Sequence, residues 1–538
     1  MTNLSDLISR LSQRIDRFVV HRQINLRIRQ MAEQVSIHAQ PLSGAQPVIF
    51  FNASTRLSGL SQNAAYNLLT SWAVRLAGAP IIHFVCESGL SRCVLGTQRD
   101  DPHTLPPCRE CIAQSRAITT AAPTRWFKHH ADPSLAQALA SMSVLEMETF
   151  EVEDIPLGEL VLPSLRWVLR RHHLLDDENT RFLFREYLLS AWWVVQEFNV
   201  LLDETQPQAI VVFNGMFYPE AAARYTAGQR GITVISHEVG LQPLTGYFTN
   251  GEATAYPIDI PTEFELNPEQ NARLDAYLEQ RMQGNFSMAG IRFWASMQPL
   301  SAEFLEKAAG FTQIVPVFTN VIFDTSQAHA NVIFEHMFAW LDEVLGLIKD
   351  HPETLFVIRA HPDEFRPGKA AQESVADWVL TNQVETLPNV IFVNSGEHFS
   401  SYELIQRSKF VMVYNSTIGL EAALMGAAVL CAGKARFTQL PTVFFPQSAA
   451  EFHRQAVEFL SAQQISVPAE FRRNARRFLY YQLYRTSLPF DALLQADGIW
   501  KGYVDLKSAN WRSYSVQNSE TLRIIVEGII QGKPFLMD

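Results

Sequence analysis

Basic residues are in deficit along this chain: 44 Lys and Arg face 55 Asp and Glu over 538 residues, a net charge of -11. Nucleic-acid binders draw affinity from phosphates neutralised by Lys and Arg, so this balance excludes nucleic acid as partner but leaves room for a local basic pocket. Cysteine is sparse as well, five in all, too few for a disulfide scaffold. No run approaches the ~20 uninterrupted apolar residues that cross a bilayer; the cluster Ala191 to Val195 is closed by Gln196 and Glu197. The first residues lack the apolar core of a secretion signal, because Arg10, Arg14, Asp16 and Arg17 interrupt Leu4, Leu7, Ile8, Leu11, Ile15, Phe18 and Val19. Those apolar positions recur at helical spacing and predict an amphipathic helix packed on the protein. The expected location is the cytoplasm, with peripheral contact to the inner face of the plasma membrane as the other setting for such a helix.

What the chain does have is core: 47% of its residues are hydrophobic. Its length exceeds the size at which one core keeps growing, so two domains are expected. No internal repeat or low-complexity segment is present. After the N-terminal helices, strands are predicted at Val48 to Phe51, Ile81 to Val85, Ala209 to Phe213 and Thr233 to Ser236, and Pro- and Cys-rich residues 86–124 read as an irregular insertion. The second half alternates more clearly, with strands at Ile314 to Phe318, Leu355 to Arg359, Val390 to Val393, Phe410 to Val413 and Ala428 to Cys431 and helices between them. Strand–helix alternation specifies βαβ units on a parallel sheet. The division that follows is a helical segment 1–45, a Rossmann-like acceptor domain 46–295, a Rossmann-like nucleotide-sugar-binding domain 296–489, and a segment 490–538 packing back across both.

Four of the five cysteines cluster: Cys86, Cys93, Cys108 and Cys111, the last two as C-x-x-C. Four thiolates suit a tetrahedral structural zinc; unligated reduced thiols and a redox or iron–sulfur role are the other readings. Cys431 ends an apolar run and reads as a core thiol.

In doubly wound domains ligands sit beyond the carboxyl ends of the strands, and the residues there are polar. Thr319, Asn320, Asp324 and Thr325 follow one strand, as a helix-capping loop or as ligand contacts. Arg359 and His361 close the next; alternation puts them on one side, and Pro362 holds His361 extended. The run Tyr414-Asn415-Ser416-Thr417 then leads into Ile418-Gly419-Leu420-Glu421. Hydroxyls and free amides at a helix start favour a phosphate. Thr417 and Glu421 share a helical face, where a carboxylate can accept from ribose hydroxyls; ordinary capping is the bland alternative. Ser400 and Glu403, by contrast, have capping-box spacing. In the first half Asn214 and Gly215 follow one strand and His237, Glu238 and Gly240 another. Glu238 there is a candidate general base, or a hydrogen-bonded wall residue.

The segments FNGMFYPEAAARYTAGQRGITVISHEVG, VFTNVIFDT, VIRAHPDE and SSYELIQRSKFVMVYNSTIGLEAALMG resemble the capsule polysaccharide biosynthesis family, which includes Kdo transferases. The likeness runs in order from about residue 48 to 440. It implies a GT-B fold, two Rossmann-like domains facing across a cleft, with a nucleotide sugar as co-substrate in the second domain and a glycan or glycolipid acceptor site mainly on the first. It also implies His361 on the donor phosphate, Ser416 and Thr417 lining that phosphate, and Glu421 facing the ribose; with Arg359, His361 and the helix end to offset charge on the leaving phosphate, no catalytic metal is expected. The acidic pair used as base in bacterial polysialyltransferases is not matched, since His237 precedes Glu238. The function expected is sugar transfer to a surface glycan, in association with a membrane polysaccharide assembly complex. Polyol-phosphate transfer from a CDP-linked donor, nucleotide-sugar epimerisation and a non-catalytic scaffold are the alternatives.

Overall fold

The structure, a computed structural model, describes residues 4–53, 59–283, 298–366, 368, 370–397, 399–507 and 510–537, with side chains from residue 16 onward. The N-terminal helices expected from the sequence are one helix, Leu4–His38. The segment contains neither Pro nor Gly, so nothing interrupts it. Its Ile24, Ile28, Met31 and Val35 recur every three or four residues, and all are buried.

The first sheet contains β1 (Val48–Asn52), β2 (Ile81–Cys86), β3 (Thr124–Phe127), β4 (Ala209–Phe213), β5 (Thr233–Val239) and β6 (Thr245–Asn250). A short late strand, β12 (Leu488–Pro489), completes the order β12-β6-β5-β4-β1-β2-β3. Strands β1 to β5 pair in parallel, whereas β6 runs antiparallel to both β5 and β12. The second sheet is wholly parallel: β7 (Gln313–Phe318), β8 (Thr354–Arg359), β9 (Val390–Val393), β10 (Val411–Val413) and β11 (Val429–Cys431), ordered β11-β10-β7-β8-β9.

Strand periodicity builds the layers. Val48 and Phe50 enter one core of the first domain, Ile49 and Phe51 the other. In the second domain Phe356 and Ile358 face one core, Leu355 and Val357 the other. Both faces of both sheets are therefore covered, as runs of apolar rather than alternating residues require. Each fully buried aliphatic side chain contributes about 1.5–3 kcal/mol.

Two expectations change. β5 runs three residues further than the sequence suggested, because β6 pairs with it through Val239↔Gly246. The region after β2 is not wholly irregular: it holds the helix Cys108–Ile118 and the edge strand β3. In the closing segment Leu522 and Ile525 of helix Glu520–Gln531 join the first-domain core with Tyr66 and Trp72, while Leu536 packs against a second-domain core and the Met537 amide donates to the Arg485 carbonyl (2.8 Å). The connection between domains, expected around residues 256–299, contains the helix Pro268–Met282, started by an Asn267/Gln270 capping box. Residues 284–297 of it lie outside the described part. No described helix is long and apolar enough to cross a membrane.

Candidate active site

A doubly wound sheet opens a crevice where its strand order reverses. In the second domain β8 and β9 lie on one side of β7, β10 and β11 on the other, so the reversal falls between β7 and β10. Thr319 and Asn320 follow β7 there, and Tyr414, Asn415 and Ser416 follow β10. The two ends are tied together. The Asn415 amide donates to Asn320 Oδ1 (3.3 Å), and Gln327 Nε2 donates to Asn415 Oδ1 (3.2 Å). Beneath them Thr319 donates through both its amide and its hydroxyl to the Arg359 carbonyl (3.2 and 3.0 Å).

Ser416 is buried and Thr417 exposed at the start of helix Ile418–Leu424, and neither side chain caps it. Their hydroxyls have no partner among the described residues. His361 leaves the end of β8, one strand over from β7. Its Nδ1 accepts the Asp363 amide (3.2 Å), so the neutral ring carries its proton on Nε2. Burial lowers its pKa; Asp363 and Asp324 oppose that and Arg359 reinforces it. A neutral N–H donor thus lies beside the crevice. Asp324 is exposed and accepts the Ser326 amide (2.8 Å).

Two expected ligand contacts are already engaged within the protein. Arg359, expected to point with His361 toward an anion, instead donates to the Phe399 carbonyl (2.9 Å) and to Ser401 Oγ, anchoring the start of helix Ser401–Arg407. Glu421, expected to face a ribose, is 7% exposed. Its Oε1 pairs with Arg281 (2.7 Å) and its Oε2 accepts from the Tyr402 hydroxyl.

The first domain reverses between β1 and β4, where Asn214 and Gly215 sit. Both have positive φ, +61° and +86°. A Cβ on Gly215 would meet Ser236 Oγ at 3.0 Å, so the turn needs glycine. This turn brings Asn214 Nδ2 to Glu238 Oε2 (3.1 Å), while Asn63 Nδ2 holds Oε1 (2.9 Å). Glu238 is half-buried and lies within β5, opposite Tyr247, rather than beyond the strand end. His237, its neighbour, is fully buried between Phe213 and Phe248 with both ring nitrogens unpartnered. Burial drops its pKa to about 3.

Tyr256 links the two crevices. Burial pushes its phenol up to about 12, Arg436 opposes, and the carboxylates of Glu238 in one domain and Asp324 in the other push it further. Its hydroxyl donates to the Val239 carbonyl (2.9 Å) while Gln439 of the second domain donates to its carbonyl (2.9 Å). Tyr256 is thus held from both sides, by the end of β5 and by Gln439 of the second domain. Asn63, Gln327, Arg281, Tyr402 and Tyr256 carry no sequence signal for this site; they reach it only through the fold.

Cys86, Cys93, Cys108 and Cys111 line one recess of about 20 Å³. Amides of Gly89, Leu90 and Ser88 aim at Cys86 and that of Gly96 at Cys93, which favours thiolate, but burial prevails and pushes these two thiols to about 11 and 12. Cys431 is buried, as expected for a core thiol. A tighter convergence of metal-ligating atoms among the described residues occurs elsewhere, at His172, His173 and His336.

Residues 302–458 match the family model described as capsule polysaccharide biosynthesis protein, which bears out the resemblance across most of the second domain. No curated protein matches the chain. Among solved structures, KpsC of Thermosulfurimonas dismutans, a β-Kdo 2,4-transferase, aligns at 12% identity and TM-score 0.34 over 57% of this chain and 87% of its own. The β-Kdo 2,7-transferase of the same protein aligns at 14% and 0.31 over 54% and 81%. The UDP-GlcNAc 2-epimerase of Neisseria meningitidis bound to UDP-GlcNAc aligns at 10% and 0.23 over 81% and 99%.

Proposed function

We propose that this chain is a glycosyltransferase of surface-polysaccharide synthesis, moving a sugar from a nucleotide-activated donor to a glycan or glycolipid acceptor. The observation that carries the reading is Tyr256, hydrogen-bonded to both domains between the two strand-end crevices. The second domain offers a donor-type crevice with unpartnered hydroxyls and an imidazole N–H, and the first offers a carboxylate held in β5 by Asn214 from its reversal point. The capsule family match over residues 302–458 supports it.

In this reading the donor phosphate lies against Ser416, Thr417 and the amides at the start of helix Ile418–Leu424, with His361 Nε2–H donating to a phosphate oxygen. Asn320 and Asn415 shape the floor. The acceptor hydroxyl oxygen attacks the anomeric carbon, forming the glycosidic bond; the sugar–phosphate C–O bond breaks and its electron pair leaves with the nucleotide. The acceptor proton passes to Glu238. Hydrogen bonds aimed at charge developing on the leaving phosphate lower the barrier most where water is excluded. Asn63 and Asn214 are positioning residues for Glu238, and Arg359 and Glu421 secure the helices that frame the donor crevice. The four cysteines that line one recess would hold a structural zinc only by drawing their sulfurs closer together, and its charge would bring them to thiolate. Peripheral attachment to a membrane assembly complex belongs to the same proposal.

The test is product analysis with CMP-, UDP-, GDP-, dTDP- and CDP-linked donors and short capsule-type acceptors. An acceptor that gains one sugar and no phosphorus supports the reading. A product that gains phosphorus shows polyol-phosphate transfer instead, and donor conversion without acceptor shows epimerisation; either overturns it.

A further inference from the structure

We propose that His172, His173 and His336 form a binding site for a divalent transition-metal ion of the Zn2+ class, which pins the first domain to the second. His172 and His173 follow the first-domain helix Leu157–Leu169, and His336 caps the second-domain helix Met337–Asp350. One ligand atom from each ring lies within 4.8 Å of the others. The Nε2 atoms of His173 and His336 are 3.2 Å apart. Two imidazole nitrogens at zinc-bond length on a tetrahedral ion stand about 3.3 Å apart, so this pair needs almost no movement.

The outer shell fits as well. His173 Nδ1 lies 2.5 Å from Glu373 Oε1, and Glu373 Oε2 accepts the amides of His172 (2.8 Å) and His173 (3.0 Å). A carboxylate on the far nitrogen fixes the tautomer and leaves the Nε2 lone pair for a metal. The Gln372 amide donates to the Arg170 carbonyl (2.8 Å), holding the two loops in register. Three imidazoles leave one tetrahedral position for water, and a nitrogen-only set selects zinc, cobalt, nickel or copper over magnesium or calcium.

Two features oppose binding. His336 sits at the positive end of a helix, and Arg166 lies near His172 and His173. The carboxylates of Glu373, Glu335, Asp342 and Glu148 around the cluster counter both. In addition, His336 Nδ1 accepts the Ala339 amide (3.1 Å), which places the proton of the neutral ring on Nε2. The metal-free cluster is therefore a closed chain: Glu373 accepts from His173, whose Nε2 accepts from His336. A metal displaces the shared proton, His336 takes its proton on Nδ1, and the Ala339 amide loses its cap.

The experiment is cobalt(II) titration of untagged, metal-stripped full-length protein followed by visible absorption. The expected result is one equivalent bound with nitrogen/oxygen-type d–d bands, separate from any ion showing sulfur-to-cobalt charge transfer. His336→Asn keeps a good helix cap and should weaken that equivalent about 100-fold or more; Glu373→Gln should weaken it about 10- to 100-fold. Zn2+ should raise the melting temperature of the wild type by more than that of His336→Asn. Cobalt that binds only with sulfur bands, or a nitrogen-bound equivalent unchanged in His336→Asn, overturns the proposal. Loss of sugar transfer bears on neither outcome.

Discussion

Among single residues, His361 and Glu238 carry the proposed chemistry most directly. Glu238→Gln keeps one of the bonds from Asn63 and Asn214 on its amide oxygen, turns its NH2 toward the other asparagine, and removes the proton acceptor, so kcat should fall about 10²- to 10⁴-fold, far more than a small drop in melting temperature would explain. Steady-state kinetics with the identified donor would check it; unchanged kcat would remove Glu238 from the reaction. His237 makes a different prediction. Its folded pKa, about 3, lies below the unfolded value, so its contribution is intact above pH ~6.5 and is lost as pH falls toward 3. Across that window the wild type should lose about 1.4 kcal/mol per pH unit more than His237→Leu, measurable from urea midpoints at several pH values. Parallel pH profiles would contradict a neutral buried imidazole. His361, Ser416 and Asn214 were legible in the sequence because each ends a strand whose apolar run is unmistakable. Asn63 was not: it reaches Glu238 from a helix 175 positions earlier, and no local pattern records that contact.

Elements raise the question of which polar groups serve the fold. Glu421 lies on the expected helical face, yet its carboxylate is closed by Arg281 and Tyr402. Helical spacing told which face it occupied but not that Arg281, 140 positions away, would meet it. Removing one partner of a largely buried ion pair leaves the other uncompensated. Glu421→Gln should therefore destabilise the protein by about 3 kcal/mol, read as a lower melting temperature. A ribose contact would instead raise KM at unchanged stability, and that result would restore the expected role. Element by element, the second sheet was readable almost to its boundaries because parallel strands buried on both faces are continuous apolar runs. Strand β6 has the β-favouring Thr245, Tyr247, Phe248 and Thr249, but Gly246 and Asn250 cut the run too short to stand out. It was missed, and with it the true extent of β5 and the position of Glu238 inside the ladder.

The whole molecule joins two doubly wound sheets through contacts that cross between them. His329 of the second domain meets Glu252 (2.9 Å) and Thr254 (3.1 Å) of the first, and Gln439 also donates to the chain at Tyr256. Two domains were expected from length and alternation alone. How they dock was not, because docking is settled by single polar contacts between segments far apart in sequence, and the imidazole cluster at residues 172, 173 and 336 is one of them. Interfaces with such sparse polar contacts allow relative domain motion, and donor binding should favour the closed form. Small-angle scattering should show a smaller radius of gyration with saturating donor; no change would argue that the cleft is preformed. The central claim is that one nucleotide sugar occupies the crevice between β7 and β10. Its most direct measurement is calorimetric titration of the five nucleotide-sugar classes into wild type, His361→Ala and Ser416→Ala. The account predicts saturable binding of one class to the wild type, weakened about tenfold or more by each substitution, the loss expected when a charge-assisted hydrogen bond is removed. Binding of no class, or equal affinity in all three proteins, would contradict it.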